Sequence, residues 1–102
     1  MKKKAVFIIN LKSGTSDKAA IPDIIAETID RDKFDYEIAV TQYAGHATEI
    51  ASKAKDDGVD IAVAVGGDGT VNEVARGIVH SQTALGIIPC GSGNGLARHL
   101  LL

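Results

Sequence analysis

A single cysteine, Cys90, leaves the 102-residue sequence with no internal disulfide and no cysteine-based zinc site. That usage fits a reducing cytoplasm. Beyond the short Lys2-Lys3-Lys4 lead, basic residues are not gathered: the 11 Lys and Arg are otherwise scattered among 13 Asp and Glu, for a net charge of −2. Such a distribution lacks the electrostatic footprint of a nucleic-acid binder. No stretch approaches the roughly twenty consecutive apolar residues of a membrane span. The lead Met1-Lys2-Lys3-Lys4 before Ala5 to Leu11 has the outline of a signal peptide. Asn10 and Lys12 interrupt the apolar run, however, and no small-residue cleavage site follows closely. A buried first strand with a solvated basic lead is the better reading. Repeats, low-complexity tracts and linkers are also missing. Three scattered histidines argue against a metal cluster, and no Ser-His-Asp arrangement stands out. No glycine loop ends in Lys-Ser/Thr, which excludes the usual P-loop, and Gly91-Ser92-Gly93-Asn94-Gly95 has the wrong glycine spacing for a dinucleotide fingerprint.

What is present alternates between strand-like and helix-like patterns. Ala5 to Ile9 is a continuous apolar run of strand length. Ile21, Ile24, Ile25, Thr28 and Ile29 then recur at helical spacing, with Pro22 tolerable only in the first turn. A second strand is expected over Asp35 to Thr41. A second helix is expected from about His46 to Lys55, with Ala47, Ile50, Ala51 and Ala54 inward and Gly58 as its stop. Asp60 to Val65 is apolar on both faces, as in the middle of a parallel sheet. Val71, Val74, Ala75, Ile78 and Val79 form the third helical stripe, Ala84 to Ile88 the fourth strand, and a helix opens near Asn94 or Gly95. The alternation predicts one α/β domain: an open, mainly parallel, Rossmann-like sheet with helices on both faces and four βα units. The last apolar helix lacks a C-cap signal, so the sequence reads as part of a longer protein. Alone, the end carrying Leu96, Leu100, Leu101 and Leu102 would seek cover by self-association or fray.

In a parallel sheet every strand-to-helix loop emerges at one edge, where open α/β proteins bind ligands. That edge would gather Asn10, Lys12, Ser13 and Gly14; then Thr41, Gly45 and His46; then Gly66-Gly67-Asp68-Gly69-Thr70; and finally Pro89 to Gly95. Glycines at Gly66, Gly67 and Gly69 permit positive φ and let backbone amides approach an anion without an intervening Cβ. We expect a positive φ at Gly67 or Gly69. The loop opens into a helix, whose free amides favour phosphate. A carboxylate among such amides repels an anion, so Asp68 makes sense if it engages Mg²⁺ at the phosphates. Thr70 and Glu73 also fit a capping box, a role compatible with a ligand nearby. His46 reads as a helix-start residue without chemistry, and Cys90 as a packing residue.

Together these residues resemble the diacylglycerol kinase catalytic domain superfamily, which includes sphingosine, ceramide and bacterial lipid kinases. The likeness rests on Gly66-Gly67-Asp68-Gly69-Thr70 with Asn72, Glu73 and Val74. It rests equally on Ile87-Ile88-Pro89 before Gly91-Ser92-Gly93-Asn94 and Leu96-Ala97-Arg98. Thr41 with Gly45-His46-Ala47, and Asn10 with Ser13-Gly14, add further elements. The resemblance implies ATP-dependent, Mg²⁺-assisted phosphorylation of a lipid hydroxyl. Residues 1–102 would supply the nucleotide-binding domain, and a β-rich second domain would help form the lipid site. It implies contacts to ATP from Asn10, Lys12, Ser13, Gly14, Thr41, Gly66, Gly67, Asp68, Gly69, Thr70, Asn72, Ser92, Gly93 and Asn94. Asp68 would be the catalytic residue and metal ligand, with the general base beyond Leu102. The implied setting is cytoplasmic, with peripheral contact to a membrane carrying the lipid. Leu11 replaces a proline frequent in the family, and Gly95 an aspartate frequent in diacylglycerol kinases, so the acceptor lipid stays open. A soluble kinase of the NAD kinase or phosphofructokinase type shares Gly-Gly-Asp-Gly and is the rival enzyme reading. A non-catalytic nucleotide-binding module is the other.

Overall fold

In the computed structural model, which describes residues 2–10 and 21–89, the elements run β1 (Lys3–Ile9), α1 (Ile21–Thr28), β2 (Phe34–Val40), α2 (His46–Asp56), β3 (Ile61–Gly66), α3 (Asp68–Ile78) and β4 (Ala84–Pro89). The strands form one sheet in the order β2-β1-β3-β4, and every pairing is parallel. The expected α/β architecture is therefore present, with each predicted strand found to within about two residues. The fourth helix, expected near Asn94, lies outside the described residues.

Beyond the exposed Lys3 and Lys4 at the start of β1, the two central strands are buried on both faces because Ala5 to Ile9 and Ala62 to Val65 carry no polar side chain on either side. Along β1, Ala5, Phe7 and Ile9 join Val63 and Val65 of β3 and Ile88 of β4 beneath α1, which contributes the fully buried Ile25. The alternate residues, Val6 and Ile8 of β1 with Ala62 and Ala64 of β3, meet α2 and α3 on the other face. Period-two alternation thus feeds two separate cores from the same strands. Pro22 lies in the first turn of α1, where its missing amide costs no helical bond.

Helix α2 ends as its sequence dictates. Asp57 caps it and Gly58 follows with φ 78, a left-handed turn that favours glycine. The Val59 amide reaches back to the Ala54 carbonyl (3.0 Å) and the Gly58 amide to that of Lys55 (3.1 Å). This Schellman pairing satisfies two terminal carbonyls and tucks Val59 into the α2–α3 core.

Two local expectations are corrected. Val79, assigned to the inward stripe of the third helix, is 53 % exposed. Helix α3 ends one residue earlier, and the extended ψ of 142° at Val79 turns the chain off the helical path. Thr70 is not an N-cap either. Helix α3 starts at Asp68 with Gly67 at the cap and no side-chain cap bond, which leaves Thr70 inside the first turn and buried. The Thr70–Glu73 capping box therefore does not form, and both side chains make longer-range bonds.

Candidate functional site

A strand order of 2-1-3-4 places a topological switch between β1 and β3, where the loops leaving the two strands diverge and open a crevice. Asn10 follows β1 and Gly67 follows β3, so both flank that opening. They are tied across it: the Asn10 amide donates to the Val65 carbonyl (3.2 Å), and Asn10 Nδ2 donates to Thr70 Oγ1 at a long 3.4 Å. Beside the crevice is a cleft of about 330 Å³ lined by Asn10, Thr41, Tyr43, Ala47, Thr70 and Glu73, among others. A larger groove of about 520 Å³ runs along β1, β2 and the C-terminal half of α2. It lies toward the opposite sheet edge, carries Lys4, Asp35, Glu37 and Lys53, and is lined by none of the candidate ligand-binding residues.

The glycine loop is shaped by close approach at one position and by open space at the others. A Cβ on Gly66 would stand 2.7 Å from Thr70 Oγ1 and 3.1 Å from Thr70 Cβ. Thr70 is buried and β-branched, so it cannot swing clear, and position 66 excludes a side chain. The expected positive φ at Gly67 or Gly69 is not found: Gly67 has φ −91, and Gly69 lies within α3. At both positions a Cβ would meet nothing within 4 Å. Residues 67 to 69 are exposed, and the first intrahelical bond of α3 runs from the Val71 amide to the Gly67 carbonyl (3.1 Å). The amides of the preceding turn therefore have no partner within the helix, as an anion site requires.

The β2–α2 loop forms the far wall of the cleft. Thr41 continues the ladder, its amide donating to the Ile9 carbonyl at 2.9 Å. Glu73 Oε1 accepts the Gly45 amide (3.1 Å), and Thr48 Oγ1 donates to the Glu73 carbonyl (2.8 Å). Glu73 thus ties α3 to the start of α2. His46 is the first residue of α2, as expected from sequence, and its Nδ1 accepts the Gln42 amide at 2.8 Å. The Tyr43 ring stacks on His46 with centroids 4.4 Å apart and planes 10° from parallel. The Tyr43 hydroxyl donates to Glu49 Oε2. This bond, helped by desolvation and the nearby negative charge, holds the Tyr43 phenol above its ordinary value of 10.0.

The direction of that shift sets a pH dependence. The neutral phenol is the donor, so the Tyr43–Glu49 link is intact below the ordinary tyrosine range and is lost as pH rises through the elevated value. In a Tyr36→Phe background, the ultraviolet phenolate signal of Tyr43 is expected to appear above 10, and Glu49→Gln to move it down toward the ordinary range. A titration unaffected by Glu49→Gln would exclude the link.

Of the residues predicted from sequence, Asn10, Thr41 and Thr70 line the cleft, and Gly66, Gly67, Asp68 and Gly69 form the turn beside it. Asn72 is exposed on α3 and is not part of the lining. Lys12, Ser13, Gly14, Ser92, Gly93 and Asn94 lie outside the described residues, as do Cys90 and Arg98. Sequence reading missed Tyr43 and the role of Glu73. The available signal for Tyr43 was an aromatic residue placed in a ligand-edge loop. Among the described residues no group of three or more His, Cys, Asp or Glu could hold a metal ion. A single exposed carboxylate at Asp68 still suits Mg²⁺, which keeps its waters and takes one or two carboxylates together with substrate phosphates.

Comparison with known proteins agrees with this geometry. The diacylglycerol kinase catalytic domain matches residues 4–102. A diacylglycerol kinase of Staphylococcus saprophyticus is 36 % identical over 100 % of the chain, which spans 34 % of that protein. One of Staphylococcus aureus is 38 % identical over 98 % of the chain and 32 % of its own length. The chain thus spans about a third of the length of these curated relatives. A solved structure of a Bacillus anthracis diacylglycerol kinase superposes with a TM-score of 0.68 at 28 % identity, over 91 % of this chain and 32 % of that one. A second Bacillus anthracis structure, of a diacylglycerol kinase candidate, reaches a TM-score of 0.79 at 26 % identity, over 98 % of this chain and 40 % of that one. With nearly its whole length matched, and with the glycine loop at the β1/β3 crevice, the chain belongs to the diacylglycerol kinase catalytic domain family.

Proposed function

We propose that the protein containing this chain transfers the γ-phosphoryl group of ATP to the hydroxyl of a lipid of the diacylglycerol type. Residues 1–102 supply its nucleotide-binding domain. The observation that carries the proposal is the exposed turn Gly67 to Gly69, with open space above it, running into the N-terminus of α3 beside the β1/β3 crevice. Backbone amides there bind phosphate oxygens without a side chain in the way. Asn10, Thr41 and Thr70 hold the neighbouring groups of the nucleotide, and Glu73 keeps the β2–α2 wall in register with α3.

Asp68 would hold Mg²⁺, directly or through water, and the ion when bound neutralises charge on the phosphates. In the transfer, the lipid oxygen forms a bond to the γ-phosphorus as the bond from that phosphorus to the β-bridging oxygen breaks. The lipid hydroxyl proton passes to a base in the remainder of the longer protein, which also supplies the β-rich acceptor site. Residues 1–102 alone bind nucleotide without turnover. The lipid is met at the surface of a membrane, on its cytoplasmic side. Among the described residues no helix is long and apolar enough to cross a membrane.

The test gives the full-length protein radiolabelled ATP and Mg²⁺ with diacylglycerol in mixed micelles, and in parallel sphingosine, ceramide, NAD⁺ and a sugar phosphate. Label is expected in the organic extract. Label confined to NAD⁺ or the sugar phosphate would replace the lipid reading with the soluble-kinase one. Nucleotide binding without transfer to any acceptor would leave a non-catalytic module.

A further inference from the structure

Tyr43 combines exposure with order. An exposed side chain ordinarily samples several rotamers and loses that freedom when it makes a contact. Tyr43 is 53 % exposed, yet its ring is held at both ends: one face stacks on His46 at 4.4 Å, and its hydroxyl is bonded to Glu49. Both anchors stand on the first turn of one helix. His46 opens α2 and accepts the Gln42 amide through Nδ1, and Glu49 lies one turn further along the same helix. The ring also lines the cleft shared with Asn10, Thr41, Thr70 and Glu73.

A flat, pre-ordered aromatic surface at the wall of a polar cleft suits a planar heterocycle. Stacking on it requires little further ordering and no edge-specific hydrogen bond. Its placement relative to the glycine loop also suits a nucleotide. Tyr43 follows β2 and the glycine loop follows β3, with β1 between them, so two strand spacings of about 4.8 Å separate the two loops. A ribose and its first phosphate span such an interval between a base and the outer phosphates. We infer that Tyr43 is the base platform of the nucleotide site, with the base stacked on its ring and the phosphates at Gly66 to Thr70. This inference rests on the nucleotide reading above and adds to it the residue that recognises the base.

The test measures equilibrium binding of ATP and of inorganic tripolyphosphate to the full-length protein and to Tyr43→Ala and Tyr43→Phe. Tyr43→Ala is expected to lose about tenfold or more in ATP affinity, the size of one base–aromatic stack, while its tripolyphosphate affinity stays at the wild-type level. Tyr43→Phe keeps the ring and retains most of the ATP affinity. Unchanged ATP affinity in Tyr43→Ala overturns the inference, as does an equal loss for ATP and tripolyphosphate, which would mean that the ring only shapes the loop. Wild-type protein that binds tripolyphosphate but gains nothing from the base also overturns it, leaving the phosphate site standing. Failure of the wild type to bind either ligand overturns the nucleotide reading and this inference together.

Discussion

Asp68→Asn is expected to lower phosphoryl transfer by the full-length protein by about 10²–10³-fold or more, the usual cost of removing one electrostatic stabiliser of developing charge. Its thermal midpoint should scarcely move. Asp68 is the first residue of α3 and exposed, so its carboxylate also interacts favourably with the positive end of the helix. That interaction is worth about 0.3–1 kcal/mol at an exposed site. The two roles of the carboxylate thus differ by several-fold in free energy, and asparagine separates them because it keeps the shape and removes the charge. If Asp68 serves only the helix, Asp68→Asn shows a slightly lower midpoint and turnover near wild type. If it serves the metal, turnover collapses while the midpoint hardly shifts, and raised Mg²⁺ restores part of the rate. Turnover at the wild-type level at low Mg²⁺ would remove Asp68 from the site.

The fold was legible because the central strands leave only one option. Runs such as Ala5 to Ile9 and Ile61 to Val65, apolar on both faces, belong inside a parallel sheet covered on two sides. The helical stripes between them supply that cover. Parallel topology then carried much of the site, since it sends Asn10, Thr41 and the glycine loop to one edge. Side-chain partners across that edge were beyond a one-dimensional reading. Thr70 and Glu73 have a capping-box spacing, but Gly67 takes the cap and both side chains bond across to other loops. The glycines divide similarly. Gly66 is required because Thr70 lies against it, whereas Gly67 and Gly69 stand beside open space, and composition makes the three look alike. Tyr43 became visible only when the fold brought its loop beside α3.

Gly77 is the case in which sequence and structure predict opposite signs. It lies in α3 one residue before the helix ends, and by propensity alone Gly77→Ala should stabilise a helix interior by about 0.8–1.0 kcal/mol. The α2–α3 contact argues the reverse. A Cβ on Gly77 would lie 2.6 Å from the Thr48 carbonyl oxygen, 2.7 Å from Ala51 Cβ and 3.0 Å from the Ser52 amide nitrogen. Two of these atoms are backbone and the third is a methyl on a fully buried residue, so none can rotate away. The helices must separate, which loosens the packing of Ala47, Ala51, Ala54 and Val74 along their shared seam. Overpacking of this kind costs about 1–3 kcal/mol and more where the backbone must move, enough to exceed the propensity gain. We expect a net loss of about 2 kcal/mol for Gly77→Ala, which lowers the thermal midpoint by about 10 °C in a domain of this size. Gly69→Ala is the internal control. It adds the same methyl to the same helix where nothing stands within 4 Å, so its midpoint should hold or rise slightly. A midpoint that rises for Gly77→Ala as it does for Gly69→Ala would mean that α2 and α3 do not pack in contact at this glycine.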